Sequence, residues 1–152
     1  MGKLIIMRGL PGSGKTHHVK ELLARHNGEV VVASADHFFE YVELNATCYK
    51  FDPSRIGEAH EACKIKVVKA MQRNVPLIIV DNTNTQRWEY ELYLELAKLA
   101  GYEAEVREIE VRDRGLLKLI DRRQQHGVPF ANLLQMWRRW EPCSQAKKLE
   151  VV

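Results

Sequence analysis

Short, continuous apolar runs recur along the chain, separated by stretches with helical periodicity. Lys3-Leu-Ile-Ile-Met-Arg8, Glu29-Val-Val-Val-Ala33 and Val75-Pro-Leu-Ile-Ile-Val80 are apolar at consecutive positions. That is the mark of strands buried on both faces, where both sets of alternating side chains must avoid water. Ala104 to Val111 reads as a fourth strand, less cleanly patterned, and 148–152 as a short fifth. Between them the spacing predicts helices. One opens after Gly9 and runs to about Arg25, closed by Asn27-Gly28. Another follows Asp52-Pro53, a cap with proline at the first helical position, and carries the stripe Ile56, Ala59, Cys63, Val67, Ala70 and Met71. Trp88, Leu92, Leu96 and Leu99 predict a third, stopped by Gly101. Leu116, Leu117 and Ile120 mark a helix running to Gly127, and Val128-Pro129 opens another with Leu133, Leu134 and Trp137 inward, broken at Pro142. Residues 37–51 show no clean period and read as a loop or lid. Strands alternating with helices at this spacing imply βαβ units. The expectation is an α/β fold with a central parallel sheet of four to five strands flanked by helices. With no repeat or linker, residues 1–152 read as a single domain.

Composition narrows the classes. The chain is 45% hydrophobic and 28% charged, ordinary for a globular domain. No apolar run reaches the roughly 18 residues of a membrane span, and Met1-Gly-Lys-Leu-Ile-Ile6 lacks a secretory h-region. Cys48, Cys63 and Cys143 are odd in number and have no metal-ligand spacing. They read as reduced thiols, which places the chain in an intracellular reducing compartment. The net charge of +3 permits an anionic partner without requiring one.

The strongest chemical signal is Gly9-x-x-x-x-Gly14-Lys15-Thr16, which follows a predicted strand and precedes a predicted helix. Within Gly9, Leu10, Pro11, Gly12, Ser13 and Gly14, the glycines let backbone N–H groups turn toward phosphate oxygens. The helix N-terminus adds partial positive charge at the same place. In such a loop Lys15 reaches the β- and γ-phosphates of ATP and the Thr16 hydroxyl ligates Mg²⁺. A phosphate loop says nucleotide, however, and not what is done with it.

Acceptor chemistry should lie at the carboxyl ends of the other strands. Asp36, just past the second strand, stands where a kinase needs a carboxylate to orient an acceptor hydroxyl and take its proton, or it is a turn residue. Asp81, ending the third strand, matches an acid that holds Mg²⁺ directly or through water. Asn82, Thr83 and Asn84 follow as neutral hydrogen-bonding groups, or as an Asx-rich turn. Arg122 and Arg123, late in a helix before Gln124, Gln125, His126 and Gly127, fit a lid over ATP or a solvated face that suits the helix dipole. His17 and His18 point apart on a helix, and His60 with Cys63 are two ligands short of a zinc site. Trp88, Trp137 and Trp140 sit on apolar helical faces and read as core.

With these motifs placed, the chain resembles the 5′-polynucleotide kinases of the bacteriophage type, and the related kinase domain of eukaryotic ubiquitin-ligase-binding proteins. The matching segments are 8–16, Ser-Ala-Asp-His-Phe-Phe at 34–39, 51–61, Ile-Ile-Val-Asp-Asn-Thr-Asn-Thr at 78–85 and Arg-Arg-Gln-Gln-His-Gly-Val-Pro at 122–129. The resemblance implies a P-loop NTPase kinase fold. By position it implies Asp36 as general base, Lys15 and Thr16 as ligands of ATP and Mg²⁺, Arg123 as lid arginine, and a polynucleotide 5′-hydroxyl end as acceptor. Two positions depart from that pattern. Phe39 stands where the phage-type enzymes carry an acceptor-binding arginine, and Gln124 where an asparagine is usual. Phe38, Phe39 and Tyr41 can instead stack on bases. A small-molecule kinase acting on a nucleoside, sugar or antibiotic hydroxyl, and an ATP-binding adaptor with weak turnover, are the alternatives.

Overall fold

The computed structural model describes residues 2–43, 46–125 and 127–152, and the side chains of these except at 41–43 and 46. In chain order the elements are β1 (Lys3–Arg8), α1 (Lys15–Arg25), β2 (Val30–Ala33), a 3₁₀ turn (Ala35–Phe39), β3 (Glu40–Glu43) and β4 (Ala46–Tyr49). A second 3₁₀ turn (Pro53–Arg55), α2 (Ile56–Gln72), β5 (Leu77–Asp81), α3 (Arg87–Ala100) and β6 (Glu103–Ile109) follow. The chain continues through α4 (Arg114–Arg123), α5 (Phe130–Arg138) and β7 (Lys147–Leu149).

Five strands form one parallel sheet in the order β2-β5-β1-β6-β7. β1 lies at its centre, and its alternation explains why it reads as a continuous apolar run. Leu4 and Ile6 pack with Cys63, Val67 and Ala70 of α2 and Tyr90, Tyr93 and Ala97 of α3. Ile5 and Met7 pack on the opposite face with Val19 of α1. A third cluster joins Leu10 to Leu117 and Ile120 of α4 and Leu133 of α5. β5 begins two residues later than the apolar run suggests; Pro76 precedes it, without an N–H, and contributes a carbonyl that accepts from Lys3 at 2.9 Å.

Three expectations need correction. Residues 37–51 are not an open loop: they hold the end of a 3₁₀ turn and an antiparallel β3–β4 pair outside the main sheet. No period marks that pair along the chain, because each strand is only four residues long. Ile56 belongs to an exposed turn of α2, while the rest of its stripe is buried. α3 is rotated from the face its leucines imply. Trp88 is 72% and Leu99 85% exposed, and the buried positions are Tyr90, Tyr93 and Ala97. Tyrosines take that face because their hydroxyls find partners inside, as Tyr93 does on Cys63 Sγ at 3.3 Å.

Arg8, at the end of β1, is wholly buried. Its guanidinium carbon lies 4.8 Å from the Tyr90 ring centre and 4.3 Å from that of Trp140. Nε donates to Asn84 O at 2.7 Å, and Nη2 to Thr85 O at 3.0 Å and Glu141 O at 2.7 Å. Glu108 Oε1 faces Nη1 at 3.4 Å and also accepts Lys148 Nζ at 3.0 Å. Arg8→Ala strands the carbonyls of Asn84 and Glu141, leaves Thr85 O with the Glu141 N–H, and leaves Glu108 with Lys148 alone. It should cost about 3–5 kcal/mol, as removal of one member of a buried pair does. Trp88→Ala, by contrast, should stay within about 0.5 kcal/mol. Urea unfolding measures both, and a loss under about 1 kcal/mol for Arg8→Ala would refute this role.

Candidate functional site

The carboxyl ends of β1, β2 and β5 meet at one cavity of about 440 Å³. Its floor is the turn from β1 into α1. Gly12 at φ 81° and Gly14 at φ 107° occupy the left-handed region, where a side chain is strained. A Cβ on Gly12 would also collide with the Ile120 carbonyl of α4. Pro11, Gly12, Gly14, Lys15 and Thr16 line the cavity, and Lys15 Nζ donates to Gly9 O at 2.9 Å. Leu10 does not line it: its side chain is in the core with Leu117 and Ile120, because the loop turns that position under the sheet end.

Asp81 enters the same cavity from β5. Burial pushes its carboxyl above the ordinary carboxylate range, and the Lys15 ammonium pulls against that shift. Burial likewise pushes the Lys15 ammonium down, opposed by Asp81 and then Asp36. Asp81 Oδ1 and Ser13 Oγ are buried with no hydrogen-bond partner among the described residues. An unmatched buried carboxylate oxygen and hydroxyl beside inward-facing loop glycines suit phosphate oxygens and a hydrated divalent cation. Thr16 and Asp81 are the oxygen donors that could hold such an ion.

Asp36 reaches the cavity from the 3₁₀ turn after β2. Ser34 caps that turn, its Oγ accepting from Asp36 N at 3.2 Å. Asp36 Oδ1 accepts from the Tyr49 hydroxyl at 3.2 Å. Burial, then Asp36, pushes Tyr49 up to about 12, so it remains a donor at neutral pH. Arg123 arrives from the end of α4, and its Nη2 donates to Gly12 O at 2.7 Å. Gln124 closes the turn that follows, accepting from Val128 N at 2.9 Å and donating to Val128 O.

Several expected site residues have other work. Arg122 is exposed and does not border the cavity, one step around α4 from Arg123. Asn82 borders it, but its Oδ1 accepts from Ala35 N at 2.8 Å and its Nδ2 approaches Cys63 Sγ at 3.6 Å. It is a strut between β5 and the Asp36 turn. Asn84 is 2% exposed, at φ 48°, with Nδ2 donating to Met7 O at 2.9 Å, so it holds the loop to β1 and does not border the cavity. Phe39 is 6% exposed, packed with Ala35 and Ala59, and meets the rings of Phe38, Tyr49 and Phe51 edge-on. It is no free stacking platform. The Phe38 ring carries the Arg55 guanidinium at 4.7 Å. The Tyr41 side chain and His126 lie outside the described residues. Gln125, beside the lid arginines, also borders the cavity, as do Lys20 and Val152, which lie outside the expected site. Lys20 was findable, since it stands one helical turn beyond Thr16 on the same face. Val152 at the cavity and Tyr49 against Asp36 were not, because only the tertiary fold brings them to those places.

A phosphate loop on a parallel five-stranded sheet, with an acid at the end of β5 and arginine over the loop, defines a P-loop kinase-like α/β domain. Residues 4–143 match the family described as AAA domain, and the chain belongs to that family. It is 32% identical over 138 residues to human NEDD4-binding protein 2, covering 91% of this chain and 8% of that protein's length. Its fold is similar to a chain in the Pnkp1/Rnl/Hen1 RNA repair complex, with a TM-score of 0.66 and 16% identity over 97% of this chain and 50% of that one. It is also similar to the tunicamycin resistance protein of Deinococcus radiodurans, with a TM-score of 0.63 and 15% identity over 99% of this chain and 86% of that one. No helix among the described residues is long and apolar enough to cross a membrane.

The raised Asp81 pKa carries a sign for stability. The native state holds this proton more tightly than the unfolded chain. Its contribution is full below the ordinary carboxylate pKa and is lost as pH rises through the folded value. Melting the nucleotide-free protein between pH 4 and 7 should show Asp81→Asn gaining stability relative to wild type as pH increases. A difference that is flat with pH, or of the opposite slope, would contradict the burial argument.

Proposed function

We propose that this domain transfers the γ-phosphate of ATP to the 5′-hydroxyl of a polynucleotide. The observation that carries the reading is the convergence of the phosphate loop, Asp81, Arg123 and Asp36 on one cavity. The RNA repair complex among its structural neighbours supports a nucleic-acid acceptor.

In this reading the loop N–H groups and Lys15 hold the β- and γ-phosphates. Thr16 and Asp81 would hold Mg²⁺, whose contribution is to neutralise phosphate charge. Asp36 accepts the proton of the acceptor hydroxyl as that oxygen bonds to the γ-phosphorus. The bond from phosphorus to the β–γ bridging oxygen breaks, and ADP leaves. Arg123, already seated over Gly12, offers its remaining N–H groups to the transferring phosphoryl. Tyr49 keeps the Asp36 carboxylate turned toward the cavity.

The test is labelled-phosphate transfer from ATP to a panel of 5′-hydroxyl oligonucleotides, nucleosides and sugars. Oligonucleotides should be labelled and sugars not; the reverse pattern would replace this acceptor with a small alcohol. Asp36→Asn should lower kcat about 10²- to 10⁴-fold with KM for ATP nearly unchanged. A sharp loss of ATP affinity at constant single-turnover rate would make Asp36 a nucleotide or metal ligand instead.

The arginines separate in the same assay. Arg123→Ala should slow transfer at least 10-fold, while Arg122→Ala, outside the cavity lining, should change it less than about twofold. Small and equal effects would leave both on a solvated face.

A further inference from the structure

A second recess of about 250 Å³ opens against the other side of Asp36. It shares Pro11, Asp36, Asn82 and Thr83 with the phosphate-loop cavity, so these four residues form a common wall. The two chambers differ in chemistry. The first holds Lys15, Lys20 and Arg123. The second is bordered by Phe39, Tyr49, Phe51, Val128, Pro129 and Met136, with His60 and Asn132 as hydrogen-bonding groups. No lysine or arginine borders it among the described residues. Lys50 and Arg55 line a neighbouring recess that shares Phe39, but Glu40 and Asp52 balance them there. Arg55 is also paired with Glu58 at 2.7 Å and lies over the Phe38 ring.

A site built to hold phosphate presents fixed N–H donors or cations, as the first chamber does. The second presents aromatic and aliphatic surface with a few hydrogen-bonding side chains and no cation of its own among the described Lys and Arg residues, the lining of a site for a flat ring system. Asp36, at the boundary, meets whatever hydroxyl the ring's sugar carries. Resting on the reading above, we propose that the acceptor is recognised by the nucleoside beside its 5′-hydroxyl and not by the following phosphate. An unphosphorylated nucleoside is then a sufficient acceptor. Phe51 is its most accessible stacking surface: it is half exposed, with its ring centre 5.1 Å from that of Phe39.

The experiment compares thymidine and adenosine with their 3′-monophosphates and with a 5′-hydroxyl hexanucleotide. Each is assayed for kcat/KM at low and high salt with saturating ATP and Mg²⁺. Nucleoside and nucleoside 3′-monophosphate should agree within about 10-fold. Their salt slopes should differ by less than the roughly one counterion that a single gripped phosphate releases. Phe51→Ala should raise KM for thymidine about 10-fold, in the range of one lost base–aromatic contact, and leave KM for ATP unchanged. Its melting temperature, measured alongside, identifies a folded variant. If the 3′-monophosphate is preferred by more than 100-fold, the inference falls while polynucleotide phosphorylation stands. If folded Phe51→Ala and the conservative Phe51→Leu both bind thymidine as wild type does, the recess is not the ring site and the inference falls. If only sugars or other small alcohols accept phosphate, the polynucleotide reading itself falls and takes the inference with it.

Discussion

One buried cation organises the sheet end on which everything else is mounted. Arg8 leaves β1 at the point where the chain turns into the phosphate loop, and its guanidinium is clamped between Tyr90 and Trp140. Its donors hold the carbonyls of Asn84 and Thr85, beyond β5, and of Glu141, beyond α5. A full charge in the core is costly unless its donors are matched, and here the matching groups come from three separate segments. The energetic demand of one side chain therefore fixes the relative placement of the β1 end, the β5 loop and the C-terminal helices. Lysine could not substitute, since it lacks the planar fork that reaches several carbonyls while stacking on two rings.

The loop that Arg8 steadies is continued by a second polar network nearer the cavity. Gly9 N donates to Thr83 O at 3.2 Å, Asn84 reaches back to Met7, and Asn82 reaches across to Ala35. The neutral amides after Asp81 thus act on backbone and leave the carboxylates to face the cavity. That division follows from charge. Amides can be buried once their hydrogen bonds are met, whereas a buried carboxylate needs a counter-charge. Lys15 is the main counter-charge of Asp81, with His37 adding to it, and Lys15 and Asp81 oppose each other's burial shifts across the phosphate loop.

Much of this was legible in the chain. Strands buried on both faces announce themselves by composition, and the phosphate-loop spacing needs only its strand and helix to be meaningful. What misled was helical phase. Leucines at 92, 96 and 99 with Trp88 make a plausible stripe, yet α3 buries Tyr90, Tyr93 and Ala97, and of that stripe only Leu96 packs against the core. Apolarity alone cannot rank a tyrosine whose hydroxyl has an internal partner above a leucine that has none. The same limit applied at Asn82 and Asn84. Their amide chemistry was visible, but whether a side chain serves ligand or backbone depends on contacts 47 and 77 residues away in sequence. Tyr49 was invisible for a related reason, since β4 pairs with a neighbour too short to carry a pattern.

The placement of Phe39 shows how a local substitution pattern changes what a site can ask of its acceptor. At that position the side chain is directed inward, against Ala35 and Ala59. An aromatic ring there completes a small cluster with Phe38, Tyr49 and Phe51, and the cluster holds the β3–β4 pair against the Asp36 turn. Tyr49 then reaches Asp36 because its strand is anchored, so packing and orientation of the carboxylate become one constraint. A charged residue at 39 would have to leave that cluster for solvent or a phosphate, and the pair would lose its anchor. Apolar packing behind Asp36 and cationic grip in front of the acceptor are therefore competing uses of one position. This chain resolves the competition in favour of packing, which leaves the recess beside Asp36 apolar.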